Sequence, residues 1–116
     1  MTIKRIVPDI NSSRVDESRE FYTDFLGFEV AMDMGFIVTF KSPSNPSAQI
    51  SILRDGESSA PYPALTVEVE DVDGVHARAL ERGLDIVYPL TDESWGVRRF
   101  FVVDPNGVVL NVMSHG

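Results

Sequence analysis

The chain has 116 residues, no cysteine, and 18 Asp and Glu against 10 Lys and Arg, a formal charge of −8. The missing cysteine excludes disulfides, thiolate nucleophiles and thiolate metal sites. The charge argues against phosphate backbones as partners, because a nucleic-acid binder gathers Lys and Arg on one face. A hydrophobic share of 43% suits one ordinary globular domain, and no apolar run is long enough to span a membrane. With no secretory h-region after Met1-Thr2-Ile3-Lys4-Arg5, a cytoplasmic protein without membrane or nucleic-acid partners is expected.

Residues 3–10 read as a first strand, with Ile6 and Ile10 apolar, and Asn11-Ser12-Ser13-Arg14 as a turn. Asp16 offers a helix N-cap, and Glu17 and Glu20 suit the positive end of the helix dipole. Phe21, Tyr22, Phe25 and Leu26 form one apolar stripe of a helix of about three turns, closed by Gly27. Three short strands follow at 28–32, 36–41 and 48–53. Asp33-Met34-Gly35 joins the first pair and Ser42-Pro43-Ser44-Asn45-Pro46-Ser47 the second. Residues 56–63 read as a linker between a module at 1–55 and another at 64–116.

The plan then restarts. Residues 64–70 alternate strictly at Leu65, Val67 and Val69. Asp71 or Asp73 caps a helix with the stripe Val72, Val75, Ala79 and Leu80, stopped by Gly83. A strand at 85–90 and the Trp95 loop lead into a closing hairpin built on Asp104-Pro105-Asn106-Gly107. There Asp104 bonds forward, Pro105 pre-sets φ and Gly107 takes the left-handed exit. Gly27 and Gly83 lie 56 residues apart, which reads as an internal repeat of two β-α-β-β-β modules. The fold class expected is α+β: two paired modules forming a cupped mixed sheet with helices on its outer face.

Alternation assigns the strand faces. Leu65, Val67, Val69, Ile50, Ile52, Leu110, Val112, Ile6 and Ile10 make one apolar set, expected to pack under the helices. Val7, Asp9, Gln49, Ser51, Ala64, Thr66, Glu68, Val109, Asn111 and Met113 make a mixed set, which is how a cleft reads.

Three stretches carry a resemblance. They are Ser18-Arg19-Glu20-Phe21-Tyr22-Thr23-Asp24-Phe25-Leu26-Gly27-Phe28-Glu29-Val30, Val67-Glu68-Val69-Glu70-Asp71-Val72-Asp73, and Trp95-Gly96-Val97-Arg98 with its Asp-Pro-Asn-Gly turn. With them the whole chain resembles the vicinal oxygen chelate superfamily of glyoxalase I, extradiol dioxygenases and bleomycin-resistance proteins. The resemblance implies a homodimer with a small-molecule site in the cup. In the family's metal enzymes His, Glu or Gln hold a divalent ion there. The matching positions here are Val7, Ser51, Ala64 and Asn111. Two of these have no donor and two are poor ligands, so no metal and no cofactor are expected. The pattern then resembles the metal-free bleomycin-resistance subset, which sequesters an antibiotic without transforming it.

The ligand-binding residues expected on this reading are Trp95, Glu68, Asn111, Ser51, Phe40 and Arg98. Trp95 can stack on a flat or cationic ligand or simply cap the core. Arg98 and Arg99 lie on opposite faces of one strand, so at most one reaches the cup. Glu68 can hold a cation or act as a base, or be an ordinary exposed carboxylate. Asp9 has the same standing. Among Phe36, Phe40, Phe100 and Phe101, core roles compete with cup lining. His76 and His115 are not placed to share an ion, and neither Ser51 nor Ser94 has a His-Asp arrangement behind it. Catalytic residues are therefore not expected. The reading is a binding protein for an aromatic or cationic molecule, an antibiotic by analogy. One alternative is a metal-dependent lyase, isomerase or dioxygenase using other donors such as Asp9, Glu68 or His115. Another is a regulatory module that has lost its ligand.

Overall fold

A computed structural model describes residues 1–55 and 61–115. Most of the expected linker, residues 56–60, lies outside the described residues, as does Gly116. The fold is α+β, with parallel and antiparallel strand pairs, and the chain divides into two compact units.

The first unit, Val7–Ser59, takes most of β1 (Ile3–Ser12), then α1 (Val15–Glu20), a π-helical segment (Phe21–Phe25), β2 (Glu29–Asp33), β3 (Ile37–Lys41) and β4 (Gln49–Arg54). Its strands run in the order β2-β3-β4-β1. The β2-β3-β4 meander is antiparallel, and β1 lies parallel to β4 with Asp9 opposite Ser51 and Ile10 opposite Ile52. Val15, Val38, Phe40 and Ile52 form its core, joined by Tyr22, Phe28 and Ile50.

The N-terminal part of this unit differs from expectation in three ways. The helix begins at Val15 after Arg14, and no side chain caps it, so Asp16 sits inside the first turn. The helix then widens at Phe21, where the Leu26 amide bonds the Phe21 carbonyl instead of the Tyr22 carbonyl. That extra residue per turn rotates the expected stripe off the core. Tyr22 still turns inward and stacks on Phe40, with ring centroids 5.4 Å apart. Phe21, Phe25 and Leu26 are left 49%, 73% and 50% exposed. The third difference concerns Ile10, which lies on the same face as Ile52 but stays exposed because α1 packs over β4 instead. Val7, expected in the cleft set, is the buried residue of β1.

The second unit takes Met1–Ile6 and Ala60–Gly116. It contains β5 (Leu65–Val69), α2 (Val72–Glu81), β6 (Ile86–Asp92), β7 (Val97–Val103) and β8 (Val109–His115). Strand order is β5-β8-β7-β6, with β5 parallel to β8 and the remaining pairs antiparallel. Asp71 caps α2 by accepting from the Gly74 amide, which selects it over Asp73. Val69, Val72, Ala79, Phe100, Val102 and Val112 make the core, with Val67, Val75, Ile86, Leu90 and Leu110 packed around them. Leu80 and Ile6, both expected inside, are exposed.

The hairpin turn forms as its residues demand. Asp104 Oδ1 accepts from the Asn106 and Val108 amides, and Gly107 has φ 80°. The turn matters for function because it sets the register of β7 against β8, pairing Val103 with Val109, Phe101 with Asn111 and Arg99 with Met113.

Candidate functional site

In the second unit the register defines two faces. Val67, Val69, Phe100, Val102, Leu110 and Val112 belong to the face under α2. The opposite face carries Thr66 and Glu68 on β5, Asn111, Met113 and His115 on β8, Arg99 and Phe101 on β7, and Tyr88 on β6. Three groupings there bear on chemistry.

Glu68 is the first. It is 8% exposed as a residue, and it meets a histidine and an arginine. His115 Nδ1 lies 2.9 Å from its Oε2, and the Arg5 Nε–H donates to its Oε1. Burial works to raise the Glu68 carboxyl, but the hydrogen bonds from His115 and Arg5 prevail and hold it below the ordinary value. As an ionised carboxylate only accepts, His115 Nδ1 carries the proton in this contact.

The second surrounds Arg99. Its guanidinium carbon lies 5.2 Å from the Tyr88 ring centre, 5.2 Å from that of Trp95 and 4.9 Å from that of Phe101. Such distances fall within cation–π range. Tyr88 and Phe101 are themselves in contact, with centroids 4.7 Å apart. Arg99 Nε donates to Glu93 Oε2 at 2.6 Å, and the Tyr88 hydroxyl donates to the same oxygen at 2.9 Å.

Asn111 is the third. Its Nδ2 donates to Thr66 Oγ1 at 3.1 Å. Its Oδ1 is sealed from solvent with no hydrogen-bond partner, although the residue is only 8% exposed. A buried carbonyl left this way costs about 1–3 kcal/mol. Among the described residues it is the one sealed side-chain polar atom without a partner.

Of the expected ligand residues, Trp95, Glu68, Asn111 and Arg98 lie in this unit, Trp95 half-buried in the loop before β7. Ser51 is in the first unit, buried, with its hydroxyl 2.7 Å from Thr39 Oγ1. Two expectations are corrected. Phe40 is fully buried in the core with Val38 and Ile52 and stacks on Tyr22, so it lines no cleft. Arg98 points to the α2 side, where its Nη2 is 2.9 Å from Asp73 and its Nη1 is 3.2 Å from Asp92. Arg99 is the arginine on the Asn111 face.

Tyr88, Glu93, Arg99 and Phe101 were not among the expected site residues, yet part of the signal was present. With Asn111 assigned to the cleft face, the turn's register places Phe101 and Arg99 beside it and turns Arg98 away. Tyr88 and Glu93 carried no such signal, because register shifts in the β6–β7 pair break the alternation.

The four family metal positions do not fit a divalent ion. Val7 and Ala64 offer no donor, Ser51 is held by Thr39, and Asn111 is an amide already bonded to Thr66. Among the described residues no three His, Asp or Glu side chains gather into a metal-binding group. Of the alternative donors, Glu68 and His115 do meet.

Two strand-helix-strand units, the Asp-Pro-Asn-Gly hairpin and a polar-aromatic sheet face opposite the helix characterise this α+β fold. Residues 2–112 match the glyoxalase/bleomycin resistance protein/dioxygenase superfamily, and the chain belongs to it. No curated protein matches the sequence. Several solved structures share the fold. One is a superfamily member from Vibrio splendidus 12B01, with TM-score 0.73, 21% identity, and 97% of this chain and 99% of that one covered. Another is methylmalonyl-CoA epimerase from Mycobacterium tuberculosis, with TM-score 0.72, 18% identity, and 99% and 88% covered. A third is a variant of homoprotocatechuate 2,3-dioxygenase from B. fuscum, with TM-score 0.72, 20% identity, 98% of this chain and 33% of that one covered. At these identities the likeness concerns the fold.

Proposed function

We propose that the protein binds a small aromatic molecule on the Asn111 face of the second unit, without a metal, and releases it unchanged. Sequestration, as of an antibiotic, is the corresponding biological role. The observation that carries this reading is the orphaned Asn111 Oδ1. A buried acceptor beside Phe101, on a face whose carboxylates are all engaged, lacks only a donor. A ligand N–H or O–H supplies it once the overlying side chains shift. Tyr88 and Trp95, both half-buried, offer aromatic surface nearby, with Phe101 buried beside Tyr88. A cationic ligand, expected from the acidic composition, finds no open carboxylate here: Glu68 faces Arg5 and His115, and Glu93 faces Arg99.

The test is a thermal-shift screen of chelator-treated protein with aromatic compounds carrying an N–H or O–H, followed by recovery and mass analysis of any binder. A raised Tm with the compound intact supports the reading, and a chemically altered compound contradicts it.

The Glu68–His115 contact favours a second reading, a metal enzyme with unusual donors, since carboxylate and imidazole there supply two of the ligands an ion requires. Stoichiometric metal in protein purified without chelator, lost on Glu68→Gln, is the result that reading requires.

A further inference from the structure

We propose that the ligand carries an anionic, planar acid group, a carboxylate or its equivalent, received by the outer edge of the Arg99 guanidinium. The inference rests on the binding reading above and names its ligand class. The ring centres of Tyr88, Trp95 and Phe101 all lie within 5.2 Å of the Arg99 guanidinium carbon, and only its Nε–H is used, by Glu93. Nη1 and Nη2 have no hydrogen-bond partner among the described residues. They are not among the sealed unpartnered atoms either, and the side chain is 20% exposed, so this edge is open to an incoming group. A guanidinium fixed in this way presents parallel N–H donors at the spacing of two carboxylate oxygens. Its rotamer is already set by the rings and by Glu93, so little ordering remains to be done on binding.

The electrostatics of the face agree. Arg5 and Arg99 balance Glu68 and Glu93, and His115 adds no negative charge, so the face is close to neutral in a chain of net charge −8. An anion meets less repulsion here than on the acidic surface as a whole. The register also makes the two residues neighbours. Arg99 faces Met113 and Phe101 faces Asn111, so Arg99 and Asn111 are diagonal neighbours on one face, their backbone positions roughly 7–8 Å apart. A fused two-ring aromatic is of that scale. The ligand class is therefore a planar aromatic acid with an N–H or O–H at its far end, acid on Arg99 and donor on Asn111 Oδ1.

The probe is a hydroxynaphthoate with carboxylate and hydroxyl on opposite rings, titrated calorimetrically beside its neutral amide and beside naphthoate without the hydroxyl. The acid is expected to bind roughly 10- to 100-fold tighter than the amide, the span of a charge-assisted bidentate contact. Arg99→Met should erase that difference, and Arg99→Lys, which keeps the charge but loses the fork, should restore only part of it. Acid and amide binding alike to the wild-type chain overturns the inference while leaving the binding reading intact, and needs no variant. A difference that survives Arg99→Met in protein with a cooperative melt overturns it too. If none of the three probes binds, the inference fails; the binding reading fails with it only if the wider screen also gives no shift in Tm.

Discussion

A carboxamide such as Asn111 is an expensive side chain to bury half-satisfied. Its amine end is bonded to Thr66 and its carbonyl end is orphaned, so the native state carries a penalty that a ligand can relieve. Replacing it by leucine removes the orphan, worth about 1–3 kcal/mol, and loses one hydrogen bond worth about 1 kcal/mol. Asn111→Leu is accordingly expected to raise the unfolding free energy by about 1 kcal/mol in urea titrations and to weaken ligand binding. A stabilised protein with unchanged affinity would remove Asn111 from the site. Glu68 gives a pH prediction. Its folded pKa lies below the ordinary value of about 4.5, because the bonds from His115 and Arg5 outweigh burial. A depressed carboxylate contributes stability that is present above the ordinary value and lost as pH falls through the folded one. Glu68→Gln should therefore destabilise at neutral pH, and the gap from wild type should close on acidification below about pH 4.5. An equal gap at both pH values would mean that the ion pairs do not hold Glu68 charged.

At the scale of elements, the closing hairpin carries the most information. Asp104-Pro105-Asn106-Gly107 fixes its own turn, the turn fixes the register, and the register sorts Arg99 and Phe101 onto the Asn111 face. Gly107→Ala, at φ 80°, is expected to cost about 1–2 kcal/mol, read as a lowered denaturation midpoint. The first helix is the opposite case. Its spacing was that of an amphipathic helix, but widening to a π-helix at Phe21–Phe25 is decided by tertiary fit around Tyr22 and Phe40, which no local propensity encodes. The consequence can be measured. Phe100→Ala, in the second core, should cost about 3–5 kcal/mol, whereas Phe25→Ala, 73% exposed, should stay within about 0.5 kcal/mol. Strand identities were legible because alternation is a local signal, and the α2 cap was legible only as a choice between Asp71 and Asp73, which the Gly74 amide settles. The Glu68–His115 contact was not, because it joins side chains 47 residues apart. Phe40 was misplaced since a strand buried on its helix side reads like one facing a cleft until the helix is seen to cover it.

For the molecule as a whole, the superfamily match covers residues 2–112, so family and fold are secure while the chemistry must come from the site. Metal-dependent members of such a fold need converging donors, and Val7 and Ala64 have none to give. What this chain offers is aromatic surface, a braced guanidinium and one waiting acceptor. The most direct test is the Asn111 side-chain carbonyl resonance, followed by NMR in chelator-treated protein as an aromatic binder from the thermal screen is titrated in. A saturable shift of that signal with no metal added is the expected result. A signal that stays fixed through saturation, or moves only after a divalent metal is restored, would contradict it.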